Sequence, residues 1–102
     1  MDIKLAYLAG IIDGEGHIKN YTCVNGRGEK HIYPRVIVTQ KDERLIIWLK
    51  DNYGGCKTSS VDKRNGHTYW RWQLQGKKVL ELARQMYPML NVKKEQVDKL
   101  IP

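Results

Sequence analysis

Two acids separated by a glycine are the residues here best suited to chemistry: Asp13 and Glu15, in the run Asp13-Gly14-Glu15-Gly16. They follow an apolar segment with helical periodicity, so both carboxylates fall at the C-terminal end of a helix, where the helix dipole disfavours anions. A divalent cation would relieve that repulsion. A solvated turn or a capping arrangement would accommodate the pair as well. Other reactive groups are sparse. Cys23 and Cys56 form no C-x-x-C motif and are too few for a disulfide framework, which points to two reduced thiols in an intracellular protein. His17, His31 and His67 stand alone in sequence; none is assigned to a metal or to base catalysis, although His17 lies close to the acids.

The element that must carry the acids is a helix over about Ile3 to Asp13, apolar nearly all round. Leu5, Leu8 and Ile12 form one stripe; Ile3, Tyr7 and Ile11 form another. Such a helix expects burial on every side, and a chain of 102 residues has little material to provide it. Ala6, Gly10 and Gly14 recur at i, i+4 and i+8. Small residues at that spacing let two helix backbones approach closely. Interior glycines cost a helix about 1 kcal/mol each relative to alanine, so a packing reason is expected. The spacing fits a self-association seam, with close packing inside the chain as the other reading.

The charge has an address. The net charge is +7, and the segments 16–41 and 57–78 carry +9 between them while the remainder carries −2. Both basic segments read as β-hairpins. His17–Val24 and His31–Gln40 flank Asn25-Gly26-Arg27-Gly28, whose Asn-Gly pair favours the positive φ of a tight turn. Cys56–Asp62 and His67–Gln75 flank Lys63-Arg64-Asn65-Gly66. Val36 and Val38 alternate with Arg35 and Ile37; Trp70, Trp72 and Leu74 alternate with Tyr69, Arg71 and Gln73. One face is apolar and the other is basic, aromatic and amide-bearing, as a surface that reads a nucleic-acid groove requires. On this phasing Lys19, Tyr21, Cys23 and Asn25, with Tyr33, Arg35 and Ile37 opposite, face DNA, together with Tyr69, Arg71 and Gln73. Lys63 and Arg64 in the second turn meet phosphate, and Arg27 in the first turn joins the DNA-contacting set. The third strand has no strict apolar face, so Lys57, Thr58 and Ser60 join the DNA-contacting set without a secure phase. Trp70 and Trp72 are expected in the core.

Helical patterns fill the rest: Glu43–Asn52 behind the N-cap Asp42 and stopped at Gly54-Gly55, Lys77–Tyr87 ended by Pro88, and Val92–Leu100 capped by Asn91. The order is α-β-β-α-β-β-α(-α), an α+β chain with a four-stranded antiparallel sheet and helices on one side, one domain over 1–102. The apolar run Leu5–Ile12 is too short to cross a bilayer and lacks a signal-peptide cleavage pattern. Charge and pattern together argue for a polyanionic partner and against a membrane or a small-molecule substrate.

Leu8-Ala9-Gly10-Ile11-Ile12-Asp13-Gly14-Glu15-Gly16 resembles the nonapeptide of the LAGLIDADG homing endonucleases. Positions 8, 9, 10, 12, 13 and 16 match its letters; Ile11 is conservative, and Gly14 and Glu15 are variants the family accepts. His17-Ile18, Val38-Thr39-Gln40-Lys41, Gly54-Gly55, Trp70-Arg71-Trp72 and Tyr87-Pro88 with Val92-Lys93-Lys94 extend the likeness over nearly the whole chain. One copy of the motif resembles the single-motif, homodimeric class.

The resemblance implies the following. The motif helices of two subunits pack about a two-fold axis through Ala6, Ala9, Gly10, Asp13 and Gly14. The two sheets form a saddle in the DNA major groove. Glu15 ligates Mg²⁺, with Mn²⁺ able to substitute, and a backbone carbonyl near Gly14 adds a ligand. Asp13 caps or orients across the interface. Gln40 organises the attacking water and Lys93 supplies positive charge near the phosphate. The activity would be a double-strand break in a long near-palindromic site, cut across the minor groove to leave short 3′ overhangs. The alternative on the same fold is an intron maturase or a non-cleaving DNA-binding module.

Overall fold

The computed structural model describes residues 2–100. The element order is α1 (Ile3–Glu15), β1 (Gly16–Val24), β2 (Lys30–Gln40), α2 (Glu43–Tyr53), β3 (Cys56–Val61), β4 (Thr68–Gln75), α3 (Lys77–Met86), a 3-10 turn (Tyr87–Met89) and α4 (Lys94–Asp98). The strands form one antiparallel sheet in the order β1-β2-β4-β3. This is the expected α+β order. Among the described residues no helix is long and apolar enough to cross a membrane.

Alternation decides which face is covered. Ile18, Val36, Val38, Trp72 and Leu74 point to one side and are buried against Leu8 and Ile12 of α1, Ile46 and Leu49 of α2, and Val79, Ala83 and Met86 of α3. Trp72 is fully buried, and its indole N–H donates to the carbonyl of Gly54 at 2.7 Å, which satisfies the one polar atom of the largest core side chain. Among the described residues no helix covers the opposite face of the sheet.

Several boundaries differ from expectation for local reasons. The tip of the first hairpin is a five-residue loop held by Asn25, whose Oδ1 accepts the backbone N–H groups of Arg27 (2.9 Å) and Glu29 (3.0 Å). Gly28, not Gly26, takes the positive φ, at 78°. The Asn25 carbonyl oxygen thus organises its loop. The helix α1 runs to Glu15, so the acids sit inside its last turn. It is not buried all round: Ile3 and Tyr7 are exposed, at 80% and 53%. The last helix spans only Lys94–Asp98, because the backbone of residues 91–93 is held by Asp13 rather than wound behind an Asn91 cap.

Candidate nucleic-acid interface and acid site

Residues directly opposite in an antiparallel pair share a face. The register Lys19↔Arg35, Tyr21↔Tyr33, Cys23↔His31, Arg35↔Gln75, Ile37↔Gln73 and Thr39↔Arg71 therefore sets the composition of the open face. Thr58 pairs with Arg71 and Ser60 with Tyr69, which settles the third strand and brings both hydroxyls to the same face. Lys57 pairs with Trp72 and lies on the helix side. Its ammonium is 2.5 Å from Glu43 Oε2 and 5.0 Å from the Trp70 ring centroid. Lys57 thus leaves the DNA-facing set; a strand without a strict apolar face gave the sequence no phase for it. No strand residue on the open face is an acid. His17, His31, Thr39, Cys56 and Gln75 also lie there; extending the two-residue period to the strand ends would have found them.

The face is organised by cation–aromatic contacts. The Arg35 guanidinium carbon is 4.6 Å from the Tyr21 ring centroid and 5.2 Å from that of Tyr33, and Lys19 lies 5.0 Å from Tyr21. Arg35 Nη2 donates to the Tyr33 hydroxyl at 2.6 Å and to Gln75 Oε1 at 3.2 Å. Lys41 lies 5.7 Å from the Tyr69 ring. In the second turn Arg64 is drawn to Asp62 at 3.3 Å, while Arg27 and Lys63 are exposed.

At the end of α1 the two acids have separated roles. Asp13 turns inward along the chain: Oδ2 accepts the N–H of Asn91 at 2.7 Å, and Oδ1 accepts those of Val92 and Lys93, each at 3.0 Å. Burial opposes its ionisation, but these three N–H groups and the Lys93 charge outweigh that and hold the carboxyl below its ordinary pKa. The dipole conflict expected for Asp13 is relieved inside the chain by the start of the α4 segment. Glu15 remains exposed, and Gln40, at the end of β2, donates its amide N–H to Glu15 Oε2. Gln40 Oε1 in turn accepts the N–H of Lys41 at 3.1 Å, which fixes the amide's orientation. The carbonyl of Gly14 is among the last of α1, which have no i+4 donor. Glu15 and Gln40 are thus brought together directly, and Lys93 is tied through its backbone to the residue two before Glu15.

Beside Glu15 and Gln40 runs a groove of about 490 Å³ lined by Ala6, Gly10, Gly14 and Leu45. A Cβ at Gly10 or Gly14 would meet nothing within 4 Å, so no packing among the described residues requires either glycine. Ala9 points the other way and is buried in the core, at 1% exposure, and does not line this groove. Among the described residues no three His, Cys, Asp or Glu side chains converge on a metal-sized site.

No protein-family model matches the sequence, and no curated protein matches it. Solved structures do. The homing endonuclease I-CvuI in complex with the I-CreI target superposes with a TM-score of 0.72 at 20% identity, over 94% of this chain and 62% of that one. The archaeal intron-encoded homing endonuclease I-Vdi141I complexed with DNA gives 0.70 at 20%, over 94% and 63%. The LAGLIDADG homing endonuclease I-GzeII in complex with its DNA target gives 0.64 at 13%, over 91% and 31%. The chain spans about three-fifths of the first two and under a third of the last. At these identities the likeness is one of architecture, and the motif-bearing helix, the acid-free sheet face and the superpositions agree: the chain has the LAGLIDADG homing endonuclease fold.

Proposed function

We propose that this chain is one subunit of a homodimeric, site-specific DNA endonuclease that hydrolyses phosphodiesters with a divalent metal. The observation that carries the reading is the Glu15–Gln40 pair at the edge of a groove whose glycines face empty space. A second copy docked along Ala6, Gly10 and Gly14 would bring two Glu15 carboxylates to a common axis. The acid-free sheet faces of both copies would then receive one duplex, and a two-fold protein selects a near-palindromic site. That I-CvuI and I-Vdi141I are bound to DNA supports the same reading.

The donor set fits a hard cation shared with substrate. One exposed carboxylate and the Gly14 carbonyl per subunit, completed by water and phosphate oxygens, suit Mg²⁺, which tolerates few protein ligands. When bound, such a cation neutralises phosphate charge and lowers the pKa of a bound water. Glu15 would hold it, and Gln40 fixes that carboxylate through its N–H. Lys93 adds positive charge at the same end of α1. Lys19, Arg35, Arg71 and the turn residues Arg27 and Lys63 neutralise the backbone and orient the duplex.

Selection from a randomised duplex library in Mg²⁺ gives the cognate site, and Glu15→Gln then tests the centre. The expected variant binds that site as wild type does and no longer cuts it. A Glu15→Gln protein that cuts at the wild-type rate overturns the metal assignment. A wild type that nicks no duplex in Mg²⁺ or Mn²⁺ but binds folded intron RNA tightly is a maturase instead.

A further inference from the structure

Two arginines share the open face, and their surroundings differ. Both hydrogens of Arg35 Nη2 are committed, to the Tyr33 hydroxyl and to Gln75 Oε1. Arg35 Nε is buried with no hydrogen-bond partner. The Tyr21 and Tyr33 rings hold the plane of the guanidinium. Only Nη1 is left to meet a ligand. Arg71 lies on the same face, across from Thr39 on one side and Thr58 on the other. It is exposed, and among the described residues it makes no hydrogen bond or ion pair.

The difference matters because guanine is distinguished by two acceptors, O6 and N7, that an arginine meets with two donors on one edge of its fork. Arg71 has every edge free. Arg35 has none: one edge has lost Nη2, the other has lost Nη2 and Nε. A single remaining nitrogen meets a single acceptor, and a phosphate oxygen or the N7 common to both purines provides one on any sequence. Lys19 beside it on the Tyr21 ring adds a second charge without adding discrimination.

We infer that the two arginines divide the reading of DNA: Arg71 is the guanine-discriminating residue of this face, and Arg35, its fork closed by Tyr33 and Gln75, makes a sequence-blind contact. The inference rests on the proposed DNA-binding reading and adds to it which residue sets specificity.

The test is selection of bound sequences from a randomised duplex library by the full chain, with salt titrations on the selected site. Four proteins are compared: wild type, Arg71→Gln, Arg35→Gln, and the double variant Tyr33→Phe with Gln75→Ala. Arg71→Gln is expected to lose a guanine preference in each half-site, with discrimination there falling about tenfold or more. Arg35→Gln is expected to bind every sequence more weakly by the same factor, with the salt slope reduced by about one per subunit. The double variant opens the Arg35 fork and is expected to gain a guanine preference at a second position. A guanine preference erased by Arg35→Gln and kept by Arg71→Gln overturns the inference, as does a double variant with the wild-type profile. Both outcomes leave DNA binding standing. A wild type that selects no sequence overturns the DNA-binding reading together with the inference.

Discussion

Asp13 Oδ1 accepts the backbone N–H of Lys93 at 3.0 Å, so the first acid of the α1 motif holds the segment that presents the basic residue of the acid site. With the bonds to Asn91 and Val92, one carboxylate satisfies three successive N–H groups that no helix satisfies. Removing it by Asp13→Ala is expected to lower stability by about 1–2 kcal/mol, the bonds being partly exposed. It is also expected to lower cleavage while leaving DNA affinity unchanged, because Lys93 loses its tether. Thermal melting and single-turnover cleavage on the selected site check the two effects separately.

The glycines within α1 and the one that follows it make opposite predictions. At Gly10 and Gly14 an added side chain meets nothing in its own chain, whereas at Gly16 a Cβ would lie 2.8 Å from Ile12 Cα. Gly10→Leu is expected to raise the melting temperature of the monomer, since it removes an interior helix glycine worth about 1 kcal/mol at an open position, and to abolish the proposed dimer, as sedimentation would read. Gly16→Ala is expected to destabilise the monomer itself, since backbone must shift to admit the methyl group. A Gly10→Leu protein that still dimerises removes the groove as the contact surface.

Gln40 is bonded to Glu15 on one side and to the Lys41 backbone on the other. Gln40→Ala leaves the carboxylate without its orienting donor. Cleavage is expected to fall by about 10²-fold or more, the scale of a lost positioned donor, with binding of the duplex retained. Equal losses in binding and cleavage would place Gln40 in the DNA contact surface instead.

How far the sequence reached depends on whether a feature is written in local periodicity. The strand faces were legible because alternation is a local signal, and Val36 against Arg35 or Trp72 against Arg71 fixes a side without knowledge of the partner strand. Lys57 was not, since Cys56–Val61 is polar on both faces and only its pairing with Trp72 assigns a side. The small-residue spacing of the helix was legible, but whether its glycines pack against their own chain is a question of neighbours, and among the described residues nothing packs on Gly10 or Gly14. Ala9 directly precedes Gly10 and turns into the core, a rotation of 100° per residue that the motif letters do not convey. The Asp13 grip on residues 91–93 spans nearly the whole chain and has no local trace; the short α4 is its consequence.

The start of α2 gives a prediction in pH. Asp42 accepts the backbone N–H of Arg44 at 2.9 Å as N-cap, and its other oxygen meets the Arg44 guanidinium at 2.7 Å. The Arg44 side-chain bond first, and the backbone bond after it, lower the Asp42 pKa to about 2. An unfolded aspartate titrates near ~3.9. The folded state therefore binds the proton less readily than the unfolded one. The stabilisation from ionised Asp42 is complete above the unfolded value and is lost as the pH falls through about 2. Asp42→Ala is expected to melt below wild type by a constant interval from pH 7 to 5, and the interval is expected to close as the pH is lowered towards 2. Added salt should narrow it only in part, because salt screens the exposed ion pair with Arg44 while the bond to the helix N–H persists. An interval independent of pH down to 2 would mean that the cap does not depend on the charge of Asp42.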